Sequence, residues 1–357
     1  MKINDEYDYL IHLINCEINN ICPVVIPEGL SMEQVYKHAV NHDVANIAFF
    51  SLEKLLDGNN SDLIKKWSSR QEMAVVRSVN QDFAADEIRS CLKAGNIRWL
   101  EMQGTKMKDL YPSPEYRTMS DIDFIVDCDS LSKCREILLN LGYEIEKSFY
   151  RDVVGFRKPN INVEFHSSFF YEHSEYYSLM PEVFDESYDE CEIFCLYTIL
   201  HLAKHYFKGG CGIRRILDIY FLDKFYKDIL DGEYITDVME QAGLTSFFAD
   251  IRKLAQLWFN GGPEFADADE MKMYVCKSNV HGTVEHKVSN NSENSKLKYL
   301  FKRIFQDKEF IYKRYPFIEK HKFLLPVGWV MRMFYGITHF KQAHIDEEIK
   351  AVRKIKK

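Results

Sequence analysis

Residues 120–127 read SDIDFIVD, and residues 161–166 read INVEFH. In the first stretch Ile122, Phe124 and Val126 alternate with a period of two, which marks the buried face of a β-strand. Asp121 and Asp123, both poor strand formers, take the other face two residues apart. Like charges side by side repel, so either that face is plain solvent or something positive sits between the two. INVEFH repeats the arrangement, with Ile161, Val163 and Phe165 on the apolar face and Asn162, Glu164 and His166 on the other. If the two strands are neighbours in one sheet, Glu164 becomes a third carboxylate facing the same spot. Three such acids are costly unless a divalent cation neutralises them. Hard oxygen ligands of this kind suit Mg²⁺, which keeps some waters and shares its shell with phosphate. Two Mg²⁺ ions bridged by the aspartates would form a clamp for in-line attack at phosphorus.

A phosphate-binding half is expected upstream. EMQGTKMK (101–108) places Gly104 and Thr105 after a strand and at the start of a short helix. Glycine permits close backbone approach, Thr105 offers a hydroxyl, and a helix N-terminus favours anions. Lys106 and Lys108 add positive charge, and Arg117 has the fork geometry for a bidentate phosphate contact. Downstream, His166 is either a proton acceptor for an incoming hydroxyl or a hydrogen-bonding residue at the cleft edge. His201 and His205 stand one helical turn apart, the spacing of a two-histidine zinc site. Leu202 replaces the glutamate of a metalloprotease motif and no third ligand is evident, so zinc is disfavoured. Lys204, His205 and Lys208 are instead read as bordering the cleft, and Arg214 and Arg215 as ion-pairing near Asp218.

The chain has 357 residues, 46% of them hydrophobic, with 21 tyrosines and 25 phenylalanines, enough for two or three folded domains. Its net charge of −8 argues against a broad nucleic-acid-binding surface. Nine cysteines without a CxxC pair point to free thiols and a reducing cytoplasm. The N-terminus lacks the apolar core of a signal peptide, and no run is long enough for a membrane span. Helical patterns dominate residues 1–75. Residues 76–185 mix strands with helices, and 186–357 return to helix, so the expected fold class is α+β between helical ends. Within the last region, SNVHGTVEHKVSNNSENSK (278–296) reads as a long loop. FLLPVGWVMRMFYGITHF (323–340) reads as a buried helix in preference to an interfacial membrane helix. The basic tail KAVRKIKK reads as a solvated end.

Taken together, GT (104–105), DID (121–123) and VEF (163–165) resemble the nucleotidyltransferase superfamily typified by DNA polymerase β and the aminoglycoside nucleotidyltransferases. The run MQGTKMKDLYPSPEYRTMSDIDFIVD through INVEFH to LHLAKHYF and RRILDIYFL is similar to a bacterial group of uncharacterised nucleotidyltransferases, over residues 95–225. That resemblance implies a mixed β-sheet core with flanking helices. It implies that Asp121 and Asp123 hold both metals, Glu164 the catalytic one, and Gly104 with Thr105 the triphosphate of ATP or another NTP. A nucleoside monophosphate would move to a hydroxyl acceptor on a small molecule or protein, releasing pyrophosphate. The competing reading is a binding or regulatory module that keeps this fold without turnover.

Overall fold

The computed structural model describes residues 3–56, 61–146, 153–171, 174–280, 282–292, 305, 308–339, 348 and 350–352. Three helices, α1 (Glu6–Ile18), α2 (Met32–Asn41) and α3 (Ala45–Glu53), precede the 33-residue α4 (Asp62–Ala94). Side-chain oxygens set three of their starts, with Asp5 accepting from Asp8 N at 2.9 Å to open α1. Ser31 accepts from Gln34 N at 3.4 Å to open α2, and Ser61 accepts from Ile64 N at 3.4 Å to open α4. Gly95 caps the end of α4.

A five-stranded mixed sheet follows. Its strands are β1 (Trp99–Glu101), β2 (Ile122–Val126), β3 (Glu144–Glu146), β4 (Val153–Lys158) and β5 (Ile161–His166), in the spatial order β1-β2-β5-β4-β3. The helix α5 (Gly104–Lys108) lies between β1 and β2, and α6 (Leu131–Asn140) between β2 and β3. β2 and β5 are parallel, whereas β1–β2, β5–β4 and β4–β3 are antiparallel. Asn160, at a φ of 65°, turns the β4–β5 hairpin. The remainder of the expected strand at 143–150 lies outside the described residues.

One face of this sheet makes the core. Ile122, Phe124, Val126, Val163 and Phe165 are fully buried and cluster with Ala84, Ala85, Ile88 and Leu92 of α4 and with Cys134 and Leu138 of α6. Phe124 and Phe165 stack at 5.4 Å between centroids, and Phe156 meets Phe165 edge-on at 6.1 Å. Once these residues point toward the helices, the pleat sends Asp123, Glu164 and His166 to the opposite face.

The helices α7 (Glu190–Gly209), α8 (Ile213–Phe225), α9 (Lys227–Leu230), α10 (Glu233–Gln241), α11 (Thr245–Phe259) and α12 (Ala268–Cys276) come next. The chain divides into two compact units, 1–203 with 212–280 and 204–211 with 281–357. The second unit contains α13 (Val284–Ser292), α14 (Lys308–Arg314), α15 (Pro316–Lys320) and α16 (Leu325–His339). Two sequence expectations are corrected here. Residues 284–292 of the anticipated loop are helical, with Val288 buried against Ala351. Residues 325–339 of the apolar segment do form a helix, but that helix keeps a large apolar face exposed. The tail beyond residue 352 lies outside the described residues. All nine cysteines are free thiols, and among the described residues no helix is long and apolar enough to cross a membrane.

Candidate active site

The parallel register of β2 and β5 builds the site. Asp123 and Glu164 are direct partners across the two strands, flanked by Ile122 opposite Val163 and Phe124 opposite Phe165. His166, two residues past Glu164, shares their face. Its Nε2 lies 3.2 Å from Asp123 Oδ1 and 3.4 Å from Glu164 Oε2. One ligand atom from each of Asp123, Glu164 and His166 falls within 4.8 Å of the others, close enough to share one cation.

The electrostatics follow from that crowding. Burial, then the negative charges of Asp123 and Glu164, push the Asp121 carboxyl up to about 7. Burial alone would lower His166. Its hydrogen bonds to Asp123 and Glu164, with their charges, overcome that and raise it to about 9. The imidazolium is therefore the positive charge that offsets the carboxylates. A divalent cation among the same oxygens would take over that duty, and the donor set of carboxylates plus one imidazole suits such an ion.

Around the cluster runs a second polar chain that the sequence did not reveal. Gln103 Nε2 donates to Tyr197 Oη at 3.2 Å, and Arg215 Nη1 donates to Gln103 Oε1 at 3.0 Å. Burial and the Asp123 charge push the Tyr197 phenol well above its ordinary value. Tyr197 also packs against Phe169, Phe170 and His201. Gln103 itself sits at φ 53°, ψ −118°, a backbone conformation that costs a non-glycine residue about 1–3 kcal/mol and persists only where its surroundings enforce it. Nothing in the side-chain pattern of EMQGTKMK signals that dihedral.

The residues expected to meet phosphate have other neighbours. A Cβ on Gly104 would lie 2.8 Å from Met119 Cβ and 2.9 Å from its sulfur, so the glycine also answers to packing. The buried Thr105 hydroxyl is 3.9 Å from the same sulfur. Lys106 Nζ lies 5.2 Å over the Phe194 ring and 4.0 Å from Glu190. Lys108 is buried and paired with Asp82. Arg117 is buried as well. Its Nε and Nη2 donate to the two oxygens of Asp218 at 2.6 and 2.9 Å, and its Nη1 donates to Thr118 O at 2.6 Å. The structure thus brings Asp123, Glu164 and His166 together and aims Arg117 at α8. Arg214, at the start of α8, is ion-paired as expected, with Asp43. Lys204, His205 and Lys208 belong to the second unit. A cavity of about 600 Å³ beside β1 is walled by Trp99, Met102, Lys106, Phe169 and Phe184, and none of the three carboxylates lines it.

The family of the chain follows from a direct comparison. A family model described as an uncharacterised nucleotidyltransferase matches residues 28–260, a span that holds the whole sheet, the carboxylates and α7 to α11. The chain belongs to this nucleotidyltransferase family. No curated protein and no solved structure matches it. For a nucleotidyltransferase, paired acids on adjacent strands at a sheet face have a direct chemical use, because nucleotidyl transfer must neutralise a polyphosphate while one P–O bond forms and another breaks.

Proposed function

We propose that this nucleotidyltransferase moves a nucleoside monophosphate from an Mg²⁺-bound NTP to a hydroxyl acceptor and releases pyrophosphate. The observation that supports it best is the pairing of Asp123 with Glu164 across parallel strands, with Asp121 electrostatically joined to both. Asp121, Asp123 and Glu164 are the residues assigned to hold divalent metal, two ions in the fullest form of the site. Bound there, Mg²⁺ would offset phosphate charge and acidify the acceptor hydroxyl. The chain's own contribution is positioning. His166 holds Asp123 and Glu164 in a common orientation. Glu164, with 37% of its side chain exposed against 19% for Asp123, is the carboxylate an acceptor can reach. In the transfer, the acceptor oxygen bonds to the α-phosphorus, the bond to the bridging oxygen breaks, and pyrophosphate carries that electron pair away. The hydroxyl proton passes to Glu164.

On the nucleotide side, Gly104 and Thr105 are assigned to the triphosphate through their backbone, since the Thr105 hydroxyl is buried against Met119. Lys106 is assigned to the outer phosphates, exchanging its exposed partner Glu190 for them. Arg117 is assigned a positioning duty: its pair with Asp218 anchors the segment that leads into Asp121. The engaged state of Lys106 and Arg117 is also the one observation that favours the competing reading, a binding or regulatory module without turnover.

Incubating the protein with each of ATP, GTP, CTP and UTP plus Mg²⁺, over a panel of sugar, amino-sugar and protein acceptors, separates the two. Pyrophosphate release from parent but not from Asp123→Asn supports transfer. Saturable nucleotide binding with no release across the panel supports the binding module.

A further inference from the structure

The second unit carries a helix whose exposed side is the wrong kind of surface for water. Gly328 of α16 packs inward, where an added Cβ would collide with the buried Ile311 and Ile318 of α14 and α15. The same inner side holds cationic groups against rings. Arg332 lies 5.5 Å over Phe310, and Arg314 lies 4.2 Å over Tyr335. Outward, Phe323 is 79% exposed, Val327 47%, Val330 49%, Met331 38%, Met333 43% and Phe334 60%. Residues 327, 330 and 334 follow the i, i+3, i+7 spacing of one helical stripe, with Phe323 in the turn that leads into it. Pro326 is the only other exposed residue between Phe323 and Phe334, so no polar side chain interrupts that face. A contiguous apolar stripe of this kind marks an interaction surface.

Charge identifies the partner. Residues 281–357 contain 17 lysines and arginines against 8 aspartates and glutamates, a net +9, while residues 1–280 contain 29 against 46, a net −17. Exposed Lys320 and Lys322 lie just ahead of Phe323, and KAVRKIKK closes the sequence. We propose that the second unit binds an anionic lipid surface, with α16 lying in the interface plane, its Phe, Val and Met stripe at the acyl boundary and Lys320 and Lys322 among the headgroups. Two observations favour lipid over the other occupants. A second copy of this unit would bring together two segments of like net positive charge. A nucleic acid would find no hydrogen-bonding group along a face made of Phe, Val, Met and Pro. The 15-residue helix is also too short to cross a bilayer core of about 30 Å, which leaves it on the surface. Stable peripheral binding takes two signals, and here an apolar stripe and a polybasic field supply one each.

The test is flotation of the full chain with vesicles of pure phosphatidylcholine and with vesicles containing about one-third phosphatidylglycerol. The parent is expected to float with the anionic vesicles only, less so at high salt. Val330→Asp with Phe334→Asp, both at exposed positions, is expected to weaken that partitioning at least about tenfold while leaving the circular dichroism spectrum unchanged. Three results would overturn the proposal. One is no parent binding to anionic vesicles. Another is equal binding by the double variant, which would make the contact purely electrostatic. The third is a parent dimer in sedimentation that the two substitutions dissolve, which would assign the stripe to a second copy.

Discussion

Replacing Arg117 by alanine tests whether that residue serves the fold or meets phosphate directly. In the structure Arg117 and Asp218 are 3% and 2% exposed and joined by two hydrogen bonds across 101 residues of sequence. Asp218 also accepts from Tyr111 Oη at 2.7 Å. Removing the guanidinium leaves a buried carboxylate with one phenol hydrogen bond and the more distant Arg214 charge, and stranding one partner of a buried pair costs about 3–5 kcal/mol. Replacing both partners, Arg117→Met with Asp218→Asn, removes the orphan charge and keeps an acceptor for Tyr111. Most of the loss should then return, leaving a deficit of about 1–2 kcal/mol. Urea unfolding followed by far-UV circular dichroism measures each variant at 25 °C. The reasoning is refuted if Arg117→Ala is within about 1 kcal/mol of the parent yet no longer binds Mg-ATP. That pattern would place the guanidinium at the phosphates when nucleotide is present.

Other expectations follow from the same geometry. His42 is buried, accepts Ile213 N–H at Nδ1 (3.1 Å) and donates from Nε2 to Cys276 O (3.2 Å). Burial lowers it to about 4 from 6.5, so below pH 6.5 the unfolded chain binds a proton that the folded one refuses. Stability should therefore fall as pH drops from 6.5 through 4, by about 2 kcal/mol already at pH 5, and His42→Gln should flatten that slope in urea melts at each pH. Gly104→Ala forces its methyl onto Met119, two residues before Asp121, and should cost about 1–3 kcal/mol and weaken nucleotide binding in calorimetry. Unchanged stability and binding would mean that Met119 moves aside freely.

Local chemistry was legible in the sequence, and distant pairing was not. The alternation of Ile122, Phe124 and Val126 is a short-range signal, and β2 appears where it implies. Which strand lies beside β2 is not a local property. The carboxylate cluster depends on β5 crossing to pair in parallel, a contact set by the helices α4 and α6 that cover the opposite face. Arg117 illustrates the converse. A cation near an Asp-x-Asp motif reads as a phosphate ligand until the fold brings Asp218 to it. Gln103 was invisible because its strain is in the backbone, and α13 because a polar helix lacks a strong apolar period.

The proposed chemistry needs Asp121, Asp123 and Glu164 in one cation site. Calorimetric titration of Mn²⁺ in the presence of a non-hydrolysable ATP analogue addresses it most directly, using the parent, Asp123→Asn and Glu164→Gln. The parent should bind saturably and each variant should lose at least about tenfold in affinity, because both remove a ligand from the same ion. Parent-like Mn²⁺ affinity in Glu164→Gln beside a full loss in Asp123→Asn would contradict it, since the two carboxylates would then serve different sites.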